Sequence, residues 1–163
     1  MAATVEIHEM LSDSSGADKT SDTVRFKSAD ETAVGTTNRI TIPAADTAYS
    51  YTKQLRFYFS TGPSVDITNL RAYTDGTNSF GTGVGVQYDL AGTWGANIYT
   101  NIAGTNIFTK TSGSVIDLDS INVGAHTGTG YKGDFLRVQM TVASTANPGT
   151  LSAETLTFAY DET

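Results

Sequence analysis

Few residues in this chain are equipped for chemistry. Histidine occurs twice, as His8 and His126. The first stands beside Val5 and Ile7 in an alternating stretch, and the second lies in the glycine-rich run Ala125-His-Thr-Gly-Thr-Gly130. Neither is read with a second histidine or an acid at ligand spacing, so both are expected to be solvated or locally bonded. No serine stands in the Gly-x-Ser-x-Gly elbow that a hydrolase nucleophile occupies. Asp117-Leu-Asp119 places two carboxylates on one face of a short strand and is the weak metal candidate, while Asp66, Asp75 and Asp89 sit near turns. Calcium takes about six to eight oxygens, and no complete set is legible. The loop from Asp13 to Asp22 misses the calcium-hand spacing, because no acid stands five residues before Gly16. Side-chain-capped turns account for these acids. A two-carboxylate hydrolase would need acids facing each other across a cleft, and no pattern points to that. Gly81-Thr-Gly83-Val-Gly85 has no helix and no lysine after it, so it marks close backbone packing rather than a phosphate loop. The absence of cysteine removes disulfides and thiolate metal sites. No catalytic residue, metal or cofactor is therefore assigned.

The remaining candidates are aromatic. Eight tyrosines and Trp94 are spread along the chain, and tyrosine at strand ends stacks sugars or anchors protein interfaces. Tyr49 and Tyr88 are expected to be half-buried rims of a core. Charge excludes one partner class. Seventeen acids against ten bases give a net charge of −7, the wrong sign for a basic nucleic-acid stripe. No apolar run is long enough to cross a bilayer, and the first residues lack the basic and apolar regions of a signal peptide. A soluble protein synthesised in a cytoplasm is expected.

The elements that must position these residues are strands. Tyr49-Ser-Tyr-Thr-Lys-Gln-Leu-Arg-Phe-Tyr-Phe59 carries Tyr, Leu or Phe at every odd position except Lys53, the period-2 pattern of a strand with one apolar face. Leu55, Phe57 and Phe59 should form a core wall, and a wall of this kind needs a second layer opposite it. Val5 with Ile7, Val24 with Phe26, and Ile40 with Ile42 mark short strands, and Ser12 to Asp18 reads as a loop. Val65 and Ile67 share one parity and Leu70 and Ala72 the other, the mark of a β-bulge. Asp75-Gly76 offers a tight turn. Val84, Val86 and Tyr88 alternate, residues 90–113 read as a long loop with a strand piece, and Val115 to Leu118 make another short strand. Leu136, Val138, Met140 and Val142 alternate, as do Leu156, Phe158 and Tyr160, so a C-terminal hairpin about Asn147-Pro-Gly149 is expected. No helix of ordinary length is predicted. The expected class is all-β, an antiparallel β-sandwich of immunoglobulin-like or jelly-roll order. Residues 1–22 are read as an extended N-terminal arm and residues 23–163 as the sandwich. The acid-rich, apolar-poor arm must pair with the sandwich or lie on a partner.

Several strings carry a family resemblance. Arg25-Phe-Lys-Ser-Ala-Asp30, Thr41-Ile-Pro43 leading to Tyr49 through Arg56, Ile67 through Gly76, and Ala146-Asn-Pro-Gly149 followed by Glu154 through Glu162 resemble small β-sandwich virion proteins of tailed bacteriophages. The Ala-x-Pro-Gly turn is also similar to one in bacterial immunoglobulin-like domains. The resemblance implies a structural, non-enzymatic role as a head decoration or auxiliary protein on the outer capsid surface. Its implied partner is the major capsid protein lattice, with self-association about a local symmetry axis and no nucleic acid or membrane. Val5, Ile7, Met10 and Leu11 of the arm, with Trp94, are then the expected contact residues. The alternatives are a glycan-binding or adhesin module, a phage tail component and, lowest, a hydrolase.

Overall fold

The computed structural model describes residues 2–63 and 66–162. Among these residues the chain forms ten strands, one 3-10 turn and no α-helix. The strands are β1 (Thr4–Met10), β2 (Gly16–Asp18), β3 (Thr47–Tyr49), β4 (Lys53–Thr61), β5 (Ile67–Tyr73), β6 (Val84–Ala91), β7 (Thr105–Asn106), β8 (Ile116–Asp117), β9 (Gly130–Ala143) and β10 (Thr157–Glu162). A large antiparallel sheet runs β2-β1-β4-β9-β6-β7, with β3 also paired to β9, and a small sheet runs β10-β5-β8. The protein is an all-β sandwich.

Alternation explains the layer between them. Leu55, Phe57 and Phe59 of β4 and Leu136, Val138, Met140 and Val142 of β9 are buried on one face of the large sheet. Ile67, Leu70 and Ala72 of β5 meet them from the small sheet with no exposed surface. Phe57 packs edge-on against Phe158 and Tyr160 of β10, with ring centroids 5.5 and 6.3 Å apart. Each such side chain contributes roughly 1.5–3 kcal/mol by leaving water. Ile67 and Leu70 are both fully buried at a three-residue spacing because Asn69 takes φ +53 and turns the strand between them. The expected bulge lies there, although Val65, part of the original pattern, is outside the described residues. Residues 90–113 hold the end of β6, the short β7 and the turn Ile107–Thr109, a long loop with a strand piece as the irregular pattern predicts. Gly83 brings the backbone of Ala146 so close that an added Cβ would sit 2.7 Å from its nitrogen.

Four expectations are corrected. The long strand from Tyr49 is broken: after β3 the chain stays beside β9 at Ser50, whose N–H donates to Met140 O (3.0 Å), then turns away. Tyr51 N–H goes to Lys27 O and Thr52 N–H to Ile98 O. The C-terminal strands form no hairpin, since β9 pairs with β4 and β6 while β10 pairs with β5 in the other sheet. Alternation reveals which face is apolar, not which strand is the neighbour. Val24, Phe26, Ile40 and Ile42 pack on the core without joining a strand. The segment 1–22 pairs with the sandwich, one of the two placements expected of it, and the loop expected from Ser12 is corrected, for it contains β2. β1 is hydrogen-bonded along its length to β4, with Ile7 opposite Phe57 and Glu9 opposite Leu55, and β2 (Gly16–Asp18) folds back on β1.

Two charges of this segment, Glu9 and Lys19, are buried. Lys53 and Glu9, each 1% exposed, pair at 2.7 Å, and Lys53 also donates to the Glu31 carbonyl. Lys19 pairs with Asp22 and Lys27 with Glu31. The Lys53 ammonium thus ties the irregular residues 19–46 to the sheet, while Lys19 and Lys27 brace that segment from within, through Thr32 O and Glu31.

Candidate functional site

Two neighbouring loops, one over the outer face of the large sheet and one after β8 of the small sheet, are held by buried amides and a buried carboxylate and present apolar side chains to solvent. The first lies between β6 and β7. Asn97, buried beneath it, donates through Nδ2 to Met10 O (2.9 Å) and Asp30 Oδ1 (2.7 Å). Its Oδ1 accepts from Thr52 Oγ1 and Gln54 Nε2, and its N–H donates to Ser12 Oγ. One side chain therefore joins β1, β4 and the loop. Gln139 of β9 repeats the device: Nε2 donates to Ser50 O and Thr100 O, and Oε1 accepts from Gln87 Nε2 and Ile102 N–H. On this frame Trp94, Ile98 and Tyr99 are 42%, 36% and 62% exposed.

The second loop follows β8. Asp134, fully buried in β9, accepts from Ile121 N–H (2.9 Å), Asn122 N–H (2.8 Å) and Ser120 Oγ (3.1 Å). A carboxylate ringed by donors fixes a backbone well. Ile121 and Val123 then stand 51% and 79% exposed. Asn122 Nδ2 donates to Gly92 O (2.9 Å), and Ile121 packs over Gly92, so the two loops are neighbours. Desolvating such a rim against another surface is favourable, and the hydrogen bonds that hold the loops lower the cost of ordering them.

The residues singled out from sequence are dispersed. Val5 and Ile7 pack against the core and Met10 is 4% exposed, so these three do not offer a free contact surface. Alternation in β1 turns Val5 and Ile7 inward. Leu11 and Trp94 do come together, for the indole Nε1–H donates to Leu11 O at 3.0 Å. Asp117 and Asp119 do not converge. Asp117 Oδ1 accepts from Asp119 N–H, while Asp119 turns inward to Leu70 N–H (3.1 Å) and His126 Nε2 (2.6 Å). His126 thus has an acid partner seven residues away, and its backbone bridges Ile67, so it clips a loop to the small sheet. His8 is not isolated either: Glu6 Oε2 lies 2.9 Å from Nε2 and Tyr131 Oη 3.1 Å from Nδ1. The pattern Glu6-x-His8 on a strand carried that signal, since residues two apart share a face.

Concavities also occur among the described residues. Tyr49, Tyr51, Tyr99 and Ser28 line a shallow one of about 360 Å³. Phe26, Ile40, Ile42, Met140, Pro148 and Leu151 contribute to an apolar groove of about 440 Å³. Tyr49 and Tyr88 are half-buried, as a core rim should be. No helix among the described residues is long and apolar enough to cross a membrane.

Fold and surface define the chain as an all-β sandwich with a rigid apolar loop rim. Comparison with protein-family models, curated proteins and solved structures finds no match.

Proposed function

We propose that this protein is a structural component of a phage virion, a decoration protein that binds the outer face of the capsid shell and performs no reaction. The observation that carries the reading is the rim of Trp94, Ile98, Tyr99, Ile121 and Val123, held outward by buried Asn97, Gln139 and Asp134. A prepaid, rigid apolar edge with an indole in it suits a protein partner. The resemblance of the strand and turn strings to small virion sandwiches supplies the identity of that partner, the major capsid protein lattice, and the self-association that goes with it.

β1 is a sheet strand, so the rim rather than a clamping arm makes the contact. Co-sedimentation with shells lacking the protein tests this. The parent chain should pellet with shells, and Trp94→Ala and Val123→Asp should each weaken binding at least about tenfold, the scale of an interface anchor. Parent-like binding by both variants would remove the rim from the role, and no binding by the parent would remove the capsid.

A second reading rests on the tyrosine-lined concavity, where the Tyr51 and Tyr99 rings stand 5.4 Å apart. Aromatic faces of this kind stack sugars, which would make the protein a glycan-binding module. A glycan array with parent and Tyr99→Ala decides it; silence from the parent ends that reading.

A further inference from the structure

We propose that Glu6, His8 and Asp18 form a surface site for a divalent transition cation of the zinc class. The three lie on the β1–β2 hairpin, where Asp18 is directly opposite His8 in the register and Glu6 is two residues before it on the same face. One ligand atom from each can be chosen so that all three lie within 4.8 Å of one another. Zinc bonds to imidazole nitrogen and carboxylate oxygen are about 2.0–2.2 Å long, so small side-chain rotations bring the set onto one ion.

The imidazole is prepared for this in a way that a loose surface histidine is not. Its ring stacks on Tyr58, with centroids 4.5 Å apart and planes at 19°, and meets the edge of Tyr131 at 5.5 Å. Nδ1 bonds to Tyr131 Oη at 3.1 Å, leaving Nε2 directed at the Glu6 carboxylate. Metal-bound histidines are ordinarily oriented through their second ring nitrogen in this manner. Asp18 is held as well: Oδ1 accepts from Thr20 N–H (2.8 Å) and Oγ1–H (2.6 Å), which leaves Oδ2 for a ligand. The arrangement also depends on Gly16. A Cβ there would stand 2.7 Å from Tyr131 Oη and 3.4 Å from His8 Nδ1, so any side chain would push the phenol off the imidazole.

The two carboxylates carry a charge of about −2, which a divalent ion neutralises. The nitrogen ligand selects the metal class. Magnesium and calcium prefer all-oxygen sets, whereas imidazole suits zinc, copper and nickel. The inference is independent of the capsid reading.

The test is titration of the full chain with zinc after chelator treatment, followed by the imidazole proton signals and by calorimetry. The His8 signals, assigned by their loss in His8→Gln, should shift with one equivalent of zinc while those of His126 stay in place. Asp18→Asn, at an exposed position, should bind at least about tenfold more weakly, and Tyr131→Phe should lose a similar factor through the misdirected ring. Thermal unfolding in chelator shows that each variant is folded. His8 signals unmoved by millimolar zinc, parent-like affinity in Asp18→Asn, or equal shifts with calcium would each overturn the proposal.

Discussion

At the residue scale, the most consequential side chains are buried ones with charge. Glu9 and Lys53 are sealed together under residues 19–46, and Lys53 also takes the Glu31 carbonyl. Breaking such a pair leaves one charge without compensation, at a cost of about 3–5 kcal/mol. Lys53→Met should therefore lower stability by that amount in urea unfolding, and the double change Glu9→Leu with Lys53→Met should recover most of it. Carboxyl groups give a pH signature. Hydrogen bonds from Ser60 to Glu6, Thr20 to Asp18, Lys27 to Glu31 and Arg71 to Asp161 hold these carboxyls below their ordinary range. Each contributes stability that is present above its unfolded value, about 4, and is lost as pH falls through the folded one. Burial pushes Glu9 the other way against the opposing Lys53 ammonium, so its contribution is present below the unfolded value and lost as pH rises through the folded one. Asp13 and Asp22 are lowered in the same way, by Ser15 and Lys19, so six groups outnumber one. The urea midpoint should fall between about pH 5 and pH 3, and Asp161→Asn should flatten that fall.

At the element scale, β1 decides what a truncation means. Removing residues 1–22 takes away a strand that pairs with β4 from Thr4 to Met10, leaves Lys53 without Glu9, and bares a long apolar edge. Unpaired edges of that kind associate. The truncated chain should elute as aggregates in size exclusion and unfold without a cooperative transition; a folded monomer would show that β1 is dispensable. Phe57 tests the join between layers, since its ring meets both Phe158 and Tyr160 across the core. Phe57→Ala should cost about 3–5 kcal/mol in urea unfolding, the usual loss for a buried phenylalanine.

At the scale of the whole molecule, the sandwich is a platform whose loops differ sharply from its strands in what they offer. Trp94, Ile121 and Val123 project from a frame that would survive their loss. Val123→Asp should accordingly shift stability by no more than about 0.5 kcal/mol while weakening attachment to shells. Light scattering on the free chain should find a species larger than one chain if the self-association that accompanies the capsid reading holds.

The class of fold was legible because alternation is a local property: Leu55, Phe57 and Phe59, or Leu136 through Val142, declare an apolar face wherever their strand ends up. The bulge near Asn69 was legible for the same reason, a change of parity being visible in one stretch. Pairing was not. Whether β10 lies beside β9 or across the core from it, and whether β1 is an arm or a sheet strand, depends on contacts between residues far apart in the chain. The same limit hid Lys53, which breaks the apolar row only because Glu9 waits for it, and His8, whose partners Asp18, Tyr58 and Tyr131 come from three other strands. Composition and period thus set the layers and their greasy sides, while long-range packing alone chose the neighbours, because a strand's pattern says which way it faces and never what it faces.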